Sequence, residues 1–343
     1  MNDQQLKLWL LDYGGPAIRY RTALELLPGS STQDLQKRKH DLLNSPMTRQ
    51  WLSRLGQPGG LFSFHGSKPE AFENVAFKLG DLGLQAGTPV LDEKTAAFRQ
   101  DFAQREAYTG KFIVAGALAR LGYGDEPALQ TFLLTRLETL YAMTRTGNYD
   151  IYIDQDSFGD FPKAFRKRRL LNPDYNGMLP SIYDMIALAY WPLSLQDAEN
   201  QQKIDTIVDY VLHPDYQAFE DGYGVMRDGP HRYYSIGWSV HLPGYGGYDD
   251  MPDGRAKYFL QRLDMMSRFT GARSHRWLKE SMVHLESFQQ PDGTYRFPAR
   301  YLREQQNGYW VTGAYTRLDE DRRQRVSLNA ESTFRMLCIQ RHL

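Results

Sequence analysis

Cysteine is almost absent from this chain. Cys338 is the only one in 343 residues, which excludes an internal disulfide and leaves too few thiolates for a structural zinc site. An excess of either charge is also missing: Lys+Arg and Asp+Glu each number 41. A general nucleic-acid binder needs surplus positive charge to displace counterions from phosphate, so no nucleic-acid partner is expected. No run of about 18 apolar residues exists to span a bilayer. The first apolar stretch is too short for a signal peptide, and Asp12 follows it closely. There is no Ser/Gly tract, low-complexity run or block of like charge to act as a linker. These absences predict a cytoplasmic protein with one domain, residues 1–343, around a large core. No pair of His residues has metal-ligand spacing, and neither a phosphate-cradling Gly loop nor a nucleophile elbow occurs. No metal and no cofactor are therefore expected.

Tyrosine is what the chain has in quantity: 22 residues, 14 of them between Tyr141 and Tyr258. Aromatics at that density are core, or, when gathered in loops, the lining of a pocket.

Two kinds of helical segment alternate. One has a single apolar stripe, as in residues 197–212, where Ile204, Ile207, Val208, Val211 and Leu212 recur at helical spacing. The other is apolar nearly all round, as in residues 110–122 and 179–191, and has to be covered on every side. The inner kind is predicted at 17–27, 71–83, 109–122, 179–191, 255–270 and 327–341. Each is preceded by an outer segment, at 3–12, 32–55, 92–107, 126–143, 197–212 and 274–289. The only clean strand alternation is residues 149–153. Twelve helices alternating in this way predict an all-α fold, an α/α toroid of about six hairpins. The inner-to-outer connections are short, whereas the outer-to-inner ones (56–69, 144–178, 213–254 and 290–326) are mostly long. In such a ring the long loops emerge at one end, beside the positive N-termini of the inner helices, and that end is where a site is expected.

The turn Gln289-Gln290-Pro291-Asp292-Gly293-Thr294-Tyr295 and the looser Gln57, Gly60, Phe62 sit at equivalent places in this pattern. They resemble the Gln…Gly-x-Trp turn that punctuates the terpenoid cyclase and protein prenyltransferase superfamily, with Tyr295 in the place of Trp. Residues 9–27 also resemble the opening of bacterial prenyltransferase-like proteins. The resemblance implies an α/α toroid acting on a hydrophobic or isoprenoid substrate in an aromatic cavity. Of that family's protonating Asp-x-Asp-Asp motif, Asp154-Gln155-Asp156-Ser157 keeps the first three positions. Similar toroids also occur among glycoside hydrolases, polysaccharide lyases and sugar epimerases.

The candidate chemistry lies in two loops. Residues 148–161 crowd Asp154 and Asp156 among aromatic side chains, where desolvation and mutual repulsion would raise a carboxyl pKa and suit it to general-acid work. Residues 228–254 offer His231, His241 and Asp250 as further acid/base groups, with Tyr233, Tyr234, Trp238 and Tyr245 to stack on a ligand. At the inner-helix N-termini Glu73, Asn74, Tyr183 and Asp184 are placed to line the cavity, as is Trp310 in the last long loop. Two enzyme readings follow: an isoprenoid-type cyclase or transferase using the acidic groups, and a carbohydrate-active toroid using His231, His241 and a Tyr. A binding scaffold without chemistry is the third. The expected partner is a small molecule, isoprenoid or sugar.

Overall fold

The helix ends follow from local chemistry in a computed structural model that describes the whole chain except residues 60, 106–109, 158, 193–196, 250 and 320–324. Helix α1 (Asp3–Tyr13) starts at a capping box in which Asn2 and Gln5 satisfy each other's backbone N–H groups. Helix α2 (Pro16–Arg21) starts on a proline and runs into a π-helical turn, Thr22–Leu26. The single outer helix expected over 32–55 is two, α3 (Thr32–Asn44) and α4 (Pro46–Ser53). Pro46 lacks an N–H and forces extended backbone on the residue before it. Ser45 is accordingly extended, and its hydroxyl accepts from Thr48 N.

A short α5 (Leu61–Phe64) leads to α6 (Phe72–Leu82), which ends at Gly83 in the left-handed conformation. Then come α7 (Pro89–Gln104), α8 (Lys111–Arg120) and α9 (Pro127–Thr144). Helix α10 (Ile182–Ala189) has a Ser181/Asp184 capping box, and α11 (Ala198–Leu212) is capped by Asp197. Two short helices, α12 (Pro214–Gln217) and α13 (Asp253–Ala256), flank the richest loop. The chain ends with α14 (Phe259–Ser267), α15 (Arg276–Glu286) and α16 (Arg325–Gln340).

The two expected kinds of helix are both present. Every residue of α6 is buried, and so is nearly all of α8, α10 and α14, whereas α3, α9, α11 and α15 keep one face in water. Each buried helix packs on the next: α2 on α6, α6 on α8, α8 on α10, α10 on α14, α14 on α16 and α16 back on α2. The tightest of these pairs is α8 with α10. Gly116 permits the approach, because a Cβ there would stand 2.8 Å from the carbonyl oxygen of Tyr183.

The fold is mostly helical but not all-α. A small four-stranded sheet joins the two longest loops: β1 (Tyr152–Ile153), β2 (Leu170–Leu171), β3 (Val225–Arg227) and β4 (Tyr233–Ser235), in that order. The outer pairs are antiparallel, and Leu170 pairs with Val225 in the parallel middle. The alternation at 149–153 ends in β1, whereas the other strands are two or three residues long, too short to display a period. The basic run at 165–171 serves this sheet. Arg168 pairs with Glu220 and donates to Ser235 Oγ and the carbonyl of Asp221, so it ties the two loops together.

The turn at 289–295 holds the last long loop on α16. Gln290 N donates to Thr294 O, and Gly293 takes the positive φ of 92° that the turn requires. Beyond it Tyr295 N donates to Thr333 Oγ1 and Phe297 N to Ser332 Oγ. Gly60 of the looser copy lies outside the described residues. No helix among the described residues is long and apolar enough to cross a membrane.

Candidate functional site

The N-termini of α8 and α10 border a cavity of about 270 Å³. Its walls include Phe112, Phe132, Tyr223 and Trp238, and the sheet roofs it with Leu171 and Met226. Lys111, Arg136 and Ser181 are its polar members. Lys111 donates to the Arg105 carbonyl and lies 4.7 Å from the Phe102 ring centre, and burial lowers its pKa.

Behind Phe112 and Trp238 stands a group of three hydrogen-bonded side chains. Glu73 is fully buried in the first turn of α6. Its Oε1 accepts from His65 Nδ1 at 2.6 Å and from Gly66 N at 3.0 Å, and its Oε2 accepts from the Tyr183 hydroxyl. Burial and the Glu73 carboxylate both raise the Tyr183 pKa, so the phenol stays protonated and donates. With His65 Nδ1–H donating to Glu73, the other ring nitrogen, Nε2, carries the lone pair of the neutral ring. Nε2 has no hydrogen-bond partner among the described residues, and the His65 side chain is 20% exposed. The imidazole stacks on Tyr309 at 4.8 Å and meets the edge of Trp238 at 6.0 Å. Trp238 in turn contacts Phe112 at 5.0 Å, so the dyad and the cavity share a wall.

Only part of the expected set is gathered here: Glu73, Tyr183 and Trp238. Asn74 is fully occupied in holding the chain. Its amide donates to the carbonyls of Gly66, Lys68 and Gly308, and its Oδ1 accepts from Trp310 N. Trp310 fills the space between the inner helices instead of lining an open channel. Its ring stacks on Phe77 at 4.7 Å, its Nε1 donates to Asp81 Oδ2, and its carbonyl accepts from Gln261. With every polar atom used and the ring buried, it has nothing to offer a ligand. Asp184 caps α10 and takes a two-point hydrogen bond from Arg136, at 2.8 and 2.7 Å. That pair is a strut beside the cavity and leaves the carboxylate no free oxygen.

The expected acid/base groups of the two loops, Asp154, Asp156, His231 and His241, are not brought together at this cavity. Asp154 and Asp156 are exposed, and Asp154 Oδ1 accepts from Asp156 N in a local turn. Asp160, in the same loop, has its pKa lowered, chiefly by the hydrogen bond from Tyr233, the opposite of the expected direction for this carboxylate cluster. His231 is an exposed loop residue at φ 59°, 2.6 Å from Asp160. Tyr234 is exposed and bonded to Arg232. Tyr245 lines a different surface groove, where its hydroxyl donates to the Leu212 carbonyl. Asp250 lies outside the described residues. Short-range crowding in sequence did not gather these groups at one site, because the two loops pair with each other in the sheet and their polar side chains find separate local partners.

His241 is buried and separate from the others. Its Nε2 lies 3.0 Å from Asp221 Oδ1, but off the line of a hydrogen bond. Burial pushes its pKa down to about 4, with Asp221 opposing and Arg255 and Arg262 adding to the shift. Burial also lowers His275, His284 and His342. In each case the folded chain binds the proton less readily than the unfolded one, whose histidines titrate near pH 6.5. The stability due to neutral rings is therefore present above pH 6.5 and lost as pH falls toward 4. His241 alone is expected to account for a loss of about 3 kcal/mol across that window. Urea melts at pH 7.5 and 4.5 test it: His241→Gln should narrow the wild-type difference, and an unchanged difference would contradict the assignment.

Sequence reasoning missed His65, Tyr309 and Phe112. His65 had a signal: it lies in the first outer-to-inner loop, eight positions before Glu73, at the end where the site was expected. Comparison with protein-family models, curated proteins and solved structures finds no match for this chain.

Proposed function

We propose that this protein is an enzyme built as a closed α/α toroid on the plan of the terpenoid cyclases and protein prenyltransferases. It binds a short hydrophobic, isoprenoid-type substrate in the Phe112–Trp238 cavity and transfers a proton with the His65–Glu73 pair. One observation carries the reading: an apolar, aromatic cavity shares a wall with a buried carboxylate–imidazole pair whose Nε2 is free. The return of the inner-helix contacts from α16 to α2 supports the ring.

The chemistry follows from the groups present. As an allylic leaving group departs with the electrons of its C–O bond, Nε2 of His65 accepts the proton from the neighbouring carbon, whose C–H electrons form the new double bond, and the Glu73 carboxylate stabilises the imidazolium that forms. Gly66 N–H and the Tyr183 hydroxyl donate to Glu73 and hold it in place. The aromatic rings of Trp238 and Phe112, which line the cavity, stabilise positive charge that develops on carbon. Lys111, at the cavity wall and at the start of α8, meets the polar end of the ligand. The cavity is just below the roughly 300–1,000 Å³ usual for small-molecule sites, which favours a ten-carbon chain over a triterpene.

Thermal melts with geraniol, farnesol, their diphosphates and a panel of oligosaccharides test this. A ligand that binds only the folded state raises the melting temperature, by roughly 3–5 °C at a hundred times its Kd. The short isoprenoids are expected to give that shift, and Trp238→Ala to remove it. A panel in which no isoprenoid shifts the melt would sink the reading, and a shift with oligosaccharides alone would replace it.

A further inference from the structure

A second, smaller cavity of about 40 Å³ lies deep among the inner helices, toward their C-terminal ends. Its wall carries Arg21, Arg120, Arg262 and Arg335 against Asp81 and Asp264. At 10–15 Å³ of such space per water, it has room for about three waters or one small ion.

The charges around it pair off with one exception. Arg21 is 2.5 Å from Glu25, Arg120 is 3.1 Å from Asp81 and Arg335 is 2.9 Å from Glu331. Arg268, next to the cavity, is 3.4 Å from Asp264, whose other hydrogen bond comes from the Tyr190 hydroxyl. These four pairs occupy the four carboxylates. Arg262 remains. It is 4% exposed, and its one hydrogen bond runs from Nη2 to the Val311 carbonyl at 2.8 Å. Its guanidinium sits 4.7 Å from the Tyr258 ring centre, and no carboxylate among the described residues pairs with it. The Nε atoms of Arg262 and Arg120 are both buried without an acceptor. Burial lowers the Arg262 pKa only to about 10, so the side chain is a cation at neutral pH. An interior cation without a counterion is strongly unfavourable, and guanidinium N–H groups are the natural donors to an anion.

We propose that this cavity is a binding site for one small inorganic anion, between halide and phosphate in size, which Arg262 and Arg120 hold and which supplies the missing counter-charge. The site is separate from the His65–Glu73 cavity and does not depend on the reading given to that one.

Thermal melts at constant ionic strength in sodium chloride, sodium phosphate and sodium gluconate test the proposal, gluconate being too large to enter. The wild-type chain is expected to melt roughly 3–5 °C higher in saturating chloride or phosphate than in gluconate. Arg262→Met, which keeps the stem and removes the charge, is expected to lose that dependence and to melt in gluconate at or above the wild type. Equal wild-type melts in all three salts, or a shift that survives in Arg262→Met, overturns it. If the variant does not fold, wild-type crystals grown from sodium bromide decide the matter. An anomalous peak in the cavity supports the site, and a cavity without one overturns it.

Discussion

Gly222→Ala is expected to prevent the chain from reaching its native fold. Gly222 sits at φ 70°, ψ 20°, where an alanine is strained, but strain is the smaller effect. A Cβ at this position would stand 1.6 Å from the carbonyl oxygen of Ile236 and 2.5 Å from its carbonyl carbon. Both atoms are backbone, so no rotamer change relieves the overlap. The turn at 220–224 would have to separate from the segment that follows β4, breaking the hydrogen bond from Gly222 N to Ser239 Oγ. The next residue, Tyr223, lines the larger cavity and reaches the Pro180 carbonyl with its hydroxyl at 2.6 Å. Core-level disruption of this kind exceeds about 4 kcal/mol, against a total stability of about 5–15 kcal/mol. Circular-dichroism melts of Gly222→Ala and Gly237→Ala measure it. Gly237 has open space around its Cβ position and should melt like the wild type. A Gly222→Ala melt within two or so degrees of the wild type would be incompatible with this packing.

Glu73→Ala is expected to destabilise the chain by about 3–5 kcal/mol, because it strips the acceptor from three donors at once in the interior. The Tyr183 hydroxyl would be left buried and unpaired, the half-buried Gly66 N–H would lose its acceptor, and His65 would lose what orients it. Glu73→Gln should cost only about 1–2 kcal/mol. Its carbonyl oxygen still accepts from His65 and Gly66, and the Tyr183 hydroxyl can turn to accept from the amide. The two variants therefore separate a structural role from a chemical one. If the pair transfers a proton, Glu73→Gln folds and binds ligand but loses about 10²–10⁴-fold in turnover, for want of a charge to stabilise the imidazolium. Urea denaturation and turnover of whichever isoprenoid shifts the melt provide the two readings. A Gln variant with wild-type turnover would leave Glu73 as a support alone.

The helical frame was readable residue by residue. The apolar-all-round pattern at 71–83 became the fully buried α6, and the single stripe of 197–212 became the half-exposed α11. Even the weakly periodic 92–107 formed most of α7. The failures were of other kinds. Pro46 announced the break between α3 and α4, but the helical pattern on both sides of it masked the stop. Of the sheet, only β1 was marked, by the alternation at 149–153; β2, β3 and β4 are too short to show a period, and β2 joins β3 only through distant pairing. Of the site, Glu73 and Tyr183 were found because they sit at helix N-termini whose position periodicity gives. His65 was not found: its place in the first outer-to-inner loop marks the region, but only packing shows that it meets Glu73.

The sequence by itself determined where most of the helices lie, which of them are covered on all sides, and which connections are long. Periodicity and capping are interactions between residues a few positions apart, so the chain states them directly. Only the tertiary structure decided that Trp310 fills the space between the inner helices, that His241 is buried while His231 is exposed, that Glu73 meets His65 and Tyr183, and that Arg262 is left without a counter-charge. Each of these is a matter of which long-range partner a group finds when burial forces polar atoms to pair, and in a loop that choice belongs to the packed molecule as a whole.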